Sequence, residues 1–192
     1  MTCAMSIREP RTRQRAIEVA MGVVAIELRD EAAHICADRR LAFQVLTAFG
    51  AKTADGSSSE VLRDDGDVKL VRFITPLKLL IRERRLVTEE TVTLNAPREI
   101  GFELERAFGL LTPMKLLRER FVLDEVGGCC RLTYKSRFGL CFGRVGWLVG
   151  MALVRFIMQS FMKSHLAELK ETIEAKAKRS RVYPAPAACA LD

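Results

Sequence analysis

The chain has 192 residues, 49% of them apolar and 29% charged, with a formal net charge of +7. A chain of that length can bury a core without disulfide or metal staples, and that balance excludes a disordered chain. The charge divides as +2 over residues 1–20, +2 over 163–192 and only +3 over the 142 between them, so the domain lacks the dense basic face of a nucleic-acid binder.

Residues 1–22 read as a basic, flexible segment. Arg8, Arg11, Arg13 and Arg15 are not followed by an uninterrupted apolar core and a small-residue cleavage site, so no secretory leader is expected and a cytoplasmic location is the default. From Val23 to Cys36, short apolar and β-branched residues broken by charges predict one long strand with a bulge near Asp30. Asp38 is placed to cap a short helix over RRLAFQVLTAF, with Leu41, Val45, Leu46 and Phe49 on one face, and Gly50 with ADGSSS stops it.

The apolar period then changes to two. Turn signals at DDGD (64–67), TP (75–76), NAPRE (95–99), TP (112–113) and EVGG (125–128) predict an antiparallel meander of about six strands. In EIGFELERAF, Ile100, Phe102, Leu104 and Phe108 share one face, and Gly101, Glu103, Glu105 and Ala107 take the other. Arg106 falls on the apolar face, where strict alternation aims it inward at an acidic ligand head group; a bulge would instead release it to water. In GGCCRLTYKSRFG, Cys130, Leu132, Tyr134, Ser136 and Phe138 alternate with Arg131, Thr133, Lys135 and Arg137. Cys129 and Cys130 therefore point to opposite faces, which makes Cys130 a small core filler and Cys129 an outward residue rather than partners in a metal or redox site. An inward Tyr134 phenol can orient a ligand oxygen or bond a buried backbone group.

Six cysteines without a CxxC pair, and only two histidines, His34 and His165, leave no metal site and no cofactor expected. His165, beside Glu168, reads as solvated, and the face of His34 stays open. A helix is expected from Cys141 to about Lys178, with Met151, Val154, Met158, Met162, Leu166, Leu169 and Ile173 stepping by three or four. Its apolar start, VGWLVGMALV, falls far short of the roughly 20 residues that cross a bilayer. Lys176, Lys178, Arg179 and Arg181 read as a solvated end, with transient contact with an anionic membrane surface as the alternative, and 179–192 as a disordered tail.

This order, strand, short helix, meander and long C-terminal helix, resembles the helix-grip superfamily. That superfamily includes START domains, plant pathogenesis-related and pollen-allergen proteins, and the bacterial polyketide cyclase/dehydrase and lipid-transport proteins (SRPBCC). The resemblance covers roughly residues 23–176. HICADRRLAFQVLTAF is similar to the family's strand-to-helix passage, NAPREIGFEL to its Pro-Arg-apolar strand, and GGCCRLTY to its Gly-Gly-Thr-Arg-apolar-Thr-Tyr hairpin, with Cys129 and Cys130 where one Thr is common.

The resemblance implies an α+β domain over 23–178, a curved antiparallel sheet wrapped around the long helix, with an internal cavity for an apolar ligand. The side chains that periodicity points inward are the candidate lining: Phe102, Leu104, Phe121, Leu123, Leu132, Tyr134 and Phe138 from strands, Trp147, Met151, Met158 and Met162 from the helix, with Arg106 as the charged candidate. The plainer alternative for each is ordinary core. The function expected is non-enzymatic binding or transport of a lipid, quinone or polyketide-like molecule. One alternative is a polyketide cyclase or aromatase, which would need a carboxylate or histidine in reach of Tyr134; another is a protein-interaction module on the same fold. No residue is assigned a catalytic role.

Overall fold

In the computed structural model the described residues are 24–50, 56–79, 82–108, 114–140 and 155–183. They form β1 (Val24–Glu27), β2 (Glu31–Ile35), α1 (Arg39–Leu46), β3 (Ser58–Asp64), β4 (Val68–Leu79), β5 (Arg82–Asn95), β6 (Glu99–Phe108), β7 (Met114–Val126), β8 (Cys129–Leu140) and α2 (Arg155–Arg179). The sheet is antiparallel with strand order β1-β8-β7-β6-β5-β4-β3, and β2 also pairs with β8. The first and last strands therefore lie together, as the helix-grip order requires.

The expected long first strand is two strands. Glu27 pairs with Arg137 and Glu31 with Tyr134, so Leu28–Asp30 carries one residue more than β8 offers opposite it. Such an extra residue bends a strand and deepens its twist. Asp38 caps α1 by accepting a bond from the Arg40 amide at 2.6 Å. Leu41, Ala42 and Phe43 are buried there, and Val45, Leu46 and Phe49 pack partly buried against the core.

The turn expected at Thr75–Pro76 is absent, because β4 runs through it. Among the described residues β3 pairs with β4 no further than Ser58 opposite Ile74, so the N–H that proline lacks at 76 is missing from no described β3–β4 pair. The β7–β8 turn falls at Gly127–Gly128, with φ of +59° and +84°, the left-handed pair that a two-residue hairpin needs.

Alternation across this register gives the sheet an inner face turned toward α2. Ile35, Ile100, Leu123, Cys130 and Leu132 join Met162, Leu166 and Ile173 of α2 in one cluster, each at most 4% exposed. Burial of each such Leu or Ile stabilises the fold by about 1.5–3 kcal/mol. Cys129, expected outward, is buried as well and disulfide-bonded, whereas Cys130 is a free thiol.

Two polar contacts fix where α2 lies. The Gln159 side chain accepts from the Arg29 amide (3.0 Å) and donates to the Arg29 carbonyl (3.0 Å) and Glu31 Oε1 (2.6 Å), filling the gap where β1 breaks into β2. Four turns on, Glu174 Oε1 accepts from the Cys36 amide at 3.0 Å. Gln159→Ala is therefore expected to lower unfolding free energy by about 0.5–1.5 kcal/mol, because it removes the hydrogen bonds that hold α2 to the break. Ser160→Ala, one residue on and exposed, is expected to stay within about 0.5 kcal/mol. Urea denaturation of the two variants checks this.

Candidate functional site

Strand register brings polar side chains together on the inner face. Tyr134 lies opposite Phe121 and Ser136 opposite Glu119 across β7–β8; Glu119 lies opposite Phe102 across β6–β7; Glu90 lies opposite Leu104 across β5–β6, with Thr88 two residues along. Tyr134 donates its phenol proton to Glu119 Oε1, and Ser136 Oγ donates to the same oxygen at 3.4 Å. Thr88 Oγ1 donates to Glu90 Oε1 at 2.7 Å.

Burial removes the water that would stabilise a carboxylate's charge. It is the first cause that pushes Glu90 from 4.5 up to about 7, with the negative charge of Glu119 adding to it and the Thr88 bond opposing. Glu119 also rises through burial, against the hydrogen bonds from Tyr134 and Ser136. Tyr134 is held well above its ordinary 10 by burial and by the neighbouring Glu119. Near neutral pH the cluster thus holds exchangeable protons away from bulk water.

Aromatic rings flank these groups. Phe121 stacks on Tyr134 with centroids 4.4 Å apart, Phe102 meets Phe121 edge-on at 5.7 Å, and Phe73 and Phe49 continue the chain. α2 contributes His165, whose ring lies 6.2 Å from Tyr134 and 6.4 Å from Phe121 and parallel to Phe161 at 6.0 Å. His165 is therefore half-buried at the cluster instead of solvated, because the helix turns that side toward β7 and β8.

Of the residues named from sequence, Phe121, Leu123, Leu132, Tyr134, Phe138 and Met162 are buried on this inner side. Phe102, Leu104 and Met158 are partly buried and pack against the core. Trp147 and Met151 lie outside the described residues. Arg106 does not face inward. Glu89 pairs with Arg106 but Glu90 with Leu104, so Glu105 is an extra residue in β6, and past it the alternation inverts. Arg106 and Phe108 are exposed as a result.

Glu90 and Glu119 were not singled out from the sequence, although a signal existed. Leu117, Glu119, Phe121 and Leu123 alternate on one face, and a carboxylate at an inward position of such a strand is the anomaly to look for. Cys130 is chemically quiet, its thiol pushed up to about 12 chiefly by burial. Among the described residues no group of His, Cys, Asp and Glu could hold a metal ion.

A groove of about 820 Å³ is lined largely by charged residues of the outer face, and Phe102, Glu119 and Ser136 also border it. Its charges neutralise one another: Arg118 pairs with Glu103, Arg120 with Glu99 at 3.2 Å and Lys135 with Asp30 at 3.0 Å.

A curved eight-stranded antiparallel sheet with a long C-terminal helix defines the helix-grip fold of SRPBCC/START-like proteins, and this chain has that fold. Solved structures agree. TTHA0849 from Thermus thermophilus superposes with a TM-score of 0.60 at 17% identity, over 79% of this chain and 99% of that one. The Zhui aromatase/cyclase from Streptomyces sp. R1128 gives 0.58 at 12% identity, over 83% and 98%. A START superfamily protein from Mycobacterium smegmatis gives 0.54 at 13% identity, over 80% and 99%. No family model and no curated protein matches the sequence.

Proposed function

We propose that the space between the inner sheet face and α2 binds an apolar small molecule bearing polar groups, of the lipid, quinone or polyketide-like kind. The observation that carries this reading is a polar cluster, Glu90, Glu119, Tyr134 and Ser136, set among aromatic rings on the concave side. Phe73, Phe102, Leu104 and Glu119 of the sheet and Met158 of α2 are only partly buried. Apolar walls favour the body of such a ligand through displaced water and dispersion contacts, and a few placed polar groups fix its orientation. Cytoplasmic carriage with brief membrane contact is the fuller form of the reading, supported by Phe156, Ile157 and Phe161, exposed at the start of α2 beside Arg155 and Lys163.

The test is Nile red fluorescence titration together with mass spectrometry of molecules extracted from the denatured, purified protein. Binding at about 10 μM or tighter is expected, and Leu104→Arg, which puts an unpaired charge on the inner face, is expected to weaken it at least about tenfold. No dye binding and no reproducible copurifying molecule would overturn the reading.

A second reading is an enzyme of the cyclase or aromatase type. It is favoured by the Tyr134 proton donated to Glu119, with Glu90 near neutrality and His165 close by. A buried acid beside a carboxylate is the minimum for moving a proton to and from a bound carbonyl compound. Turnover of a poly-β-ketone analogue that Glu119→Gln abolishes would favour it over simple binding.

A further inference from the structure

The polar groups of the inner face have a direction. Each hydroxyl carries one proton to donate, and those of Tyr134, Ser136 and Thr88 are all given to Glu119 or Glu90. What the cluster offers a ligand is therefore acceptors. Both bonds to Glu119 fall on Oε1, and the bond to Glu90 likewise, so Oε2 of each takes none of these hydroxyls. Neither Oε2 is among the fully buried atoms left without a partner, so each keeps a path to open space.

Among the described residues, four of the basic groups on the strands around the site are engaged elsewhere. Lys69, on the inward side of β4, pairs with Asp64, and Arg72 pairs across the outer face with Glu89 at 2.8 Å. Arg118 is held by Glu103 and Arg120 by Glu99, also on the outer face. From α2, His165 sets its ring 6.2 Å from that of Tyr134. The walls add a second, independent feature. Phe102, Phe121 and Tyr134 set their rings beside the carboxylates, and the negative face of an aromatic ring attracts a cation.

Building on the binding reading above, we propose that the ligand is an apolar molecule carrying a protonated amine. Glu90 and Glu119 receive the ammonium and the rings of Phe102, Phe121 and Tyr134 border it, in preference to a molecule that ends in a carboxylate. A fatty-acid head group would bring a further negative charge beside two carboxyl groups whose ionisation burial and repulsion already oppose, at a site whose hydroxyl protons are already committed. An ammonium brings two or three donors to acceptors that are open.

The test uses three probes with one apolar body: 2-(1-naphthyl)ethylamine, 2-(1-naphthyl)ethanol and 1-naphthylacetic acid, titrated calorimetrically into the full chain at pH 7.5. The amine is expected to bind about tenfold tighter than the alcohol, and the acid more weakly than either. Non-specific attraction to a chain of net charge +7 would favour the acid, so an amine preference reports the site. Glu90→Gln and Glu119→Gln are each expected to remove most of the amine's advantage while the alcohol stays within about threefold. The amine, unlike the alcohol, should also release protons on binding, read from titrations in two buffers of different ionisation enthalpy.

Alcohol binding with no amine advantage, an acid that matches the amine, or an advantage that survives in both variants would overturn this inference and leave the binding reading intact. Failure of all three probes to bind would overturn both.

Discussion

Glu90→Gln is expected to make the protein more stable at pH 8, by up to about 3 kcal/mol, and to change little at pH 4. Glu90 is 6% exposed, its pKa is raised from 4.5 to about 7, and Glu119 adds repulsion. A carboxyl whose folded pKa is raised holds its proton in the native state after the unfolded chain has released it. Below pH 4.5 both states are protonated and the group is neutral to stability. Between 4.5 and about 7 the native state binds more protons than the unfolded one, so stability falls as pH rises, and above 7 the loss is complete. Glutamine keeps the shape and the acceptor for Thr88 but never ionises. Urea denaturation at intervals from pH 4 to 8 should give a wild-type stability that declines over this window and a variant with a flatter profile. A variant less stable than wild type at pH 8 would mean that Glu90 is charged and favourably paired in the folded protein.

Phe121→Ala should cost about 3–5 kcal/mol, a large part of the 5–15 kcal/mol that a domain of this size has. The ring is 5% exposed, stacks on Tyr134, meets Phe102 edge-on and lies near His165. Its loss opens a void between β7, β8 and α2 and frees Tyr134 to move off Glu119. Apolar-dye binding should fall with it. Phe121→Leu separates the two effects: it preserves most of the volume, so stability should drop by less than about 1.5 kcal/mol, while the stack on Tyr134 disappears. If Phe121→Leu binds the dye as wild type does, the ring matters for the core and not for the site.

Much of the fold was legible because its signals are local. Asp38 before RRLAFQVL, the change of period after Gly50, the two glycines at 127–128 and the three- and four-residue steps of α2 all depend on a few neighbouring residues. The alternation in β8 settled Tyr134 as inward and buried, and it placed Cys130 in the core. Where a register shift intervenes, local reading fails. The bulge at Glu105 turns Arg106 out, and Pro76 sits inside β4, past the last described β3 pair at Ser58 and Ile74.

The sequence by itself determined the order and type of the elements and which strand faces are apolar, because side-chain direction follows from period and each period is written in adjacent residues. Only the tertiary structure decided that Glu90, Glu119, Tyr134, Ser136 and His165 converge, since they come from β5, β7, β8 and α2 and meet through pairing register and helix placement. The raised pKa values of Glu90, Glu119 and Tyr134 belong to that convergence: burial and mutual repulsion act across space, between strands that the chain visits in turn.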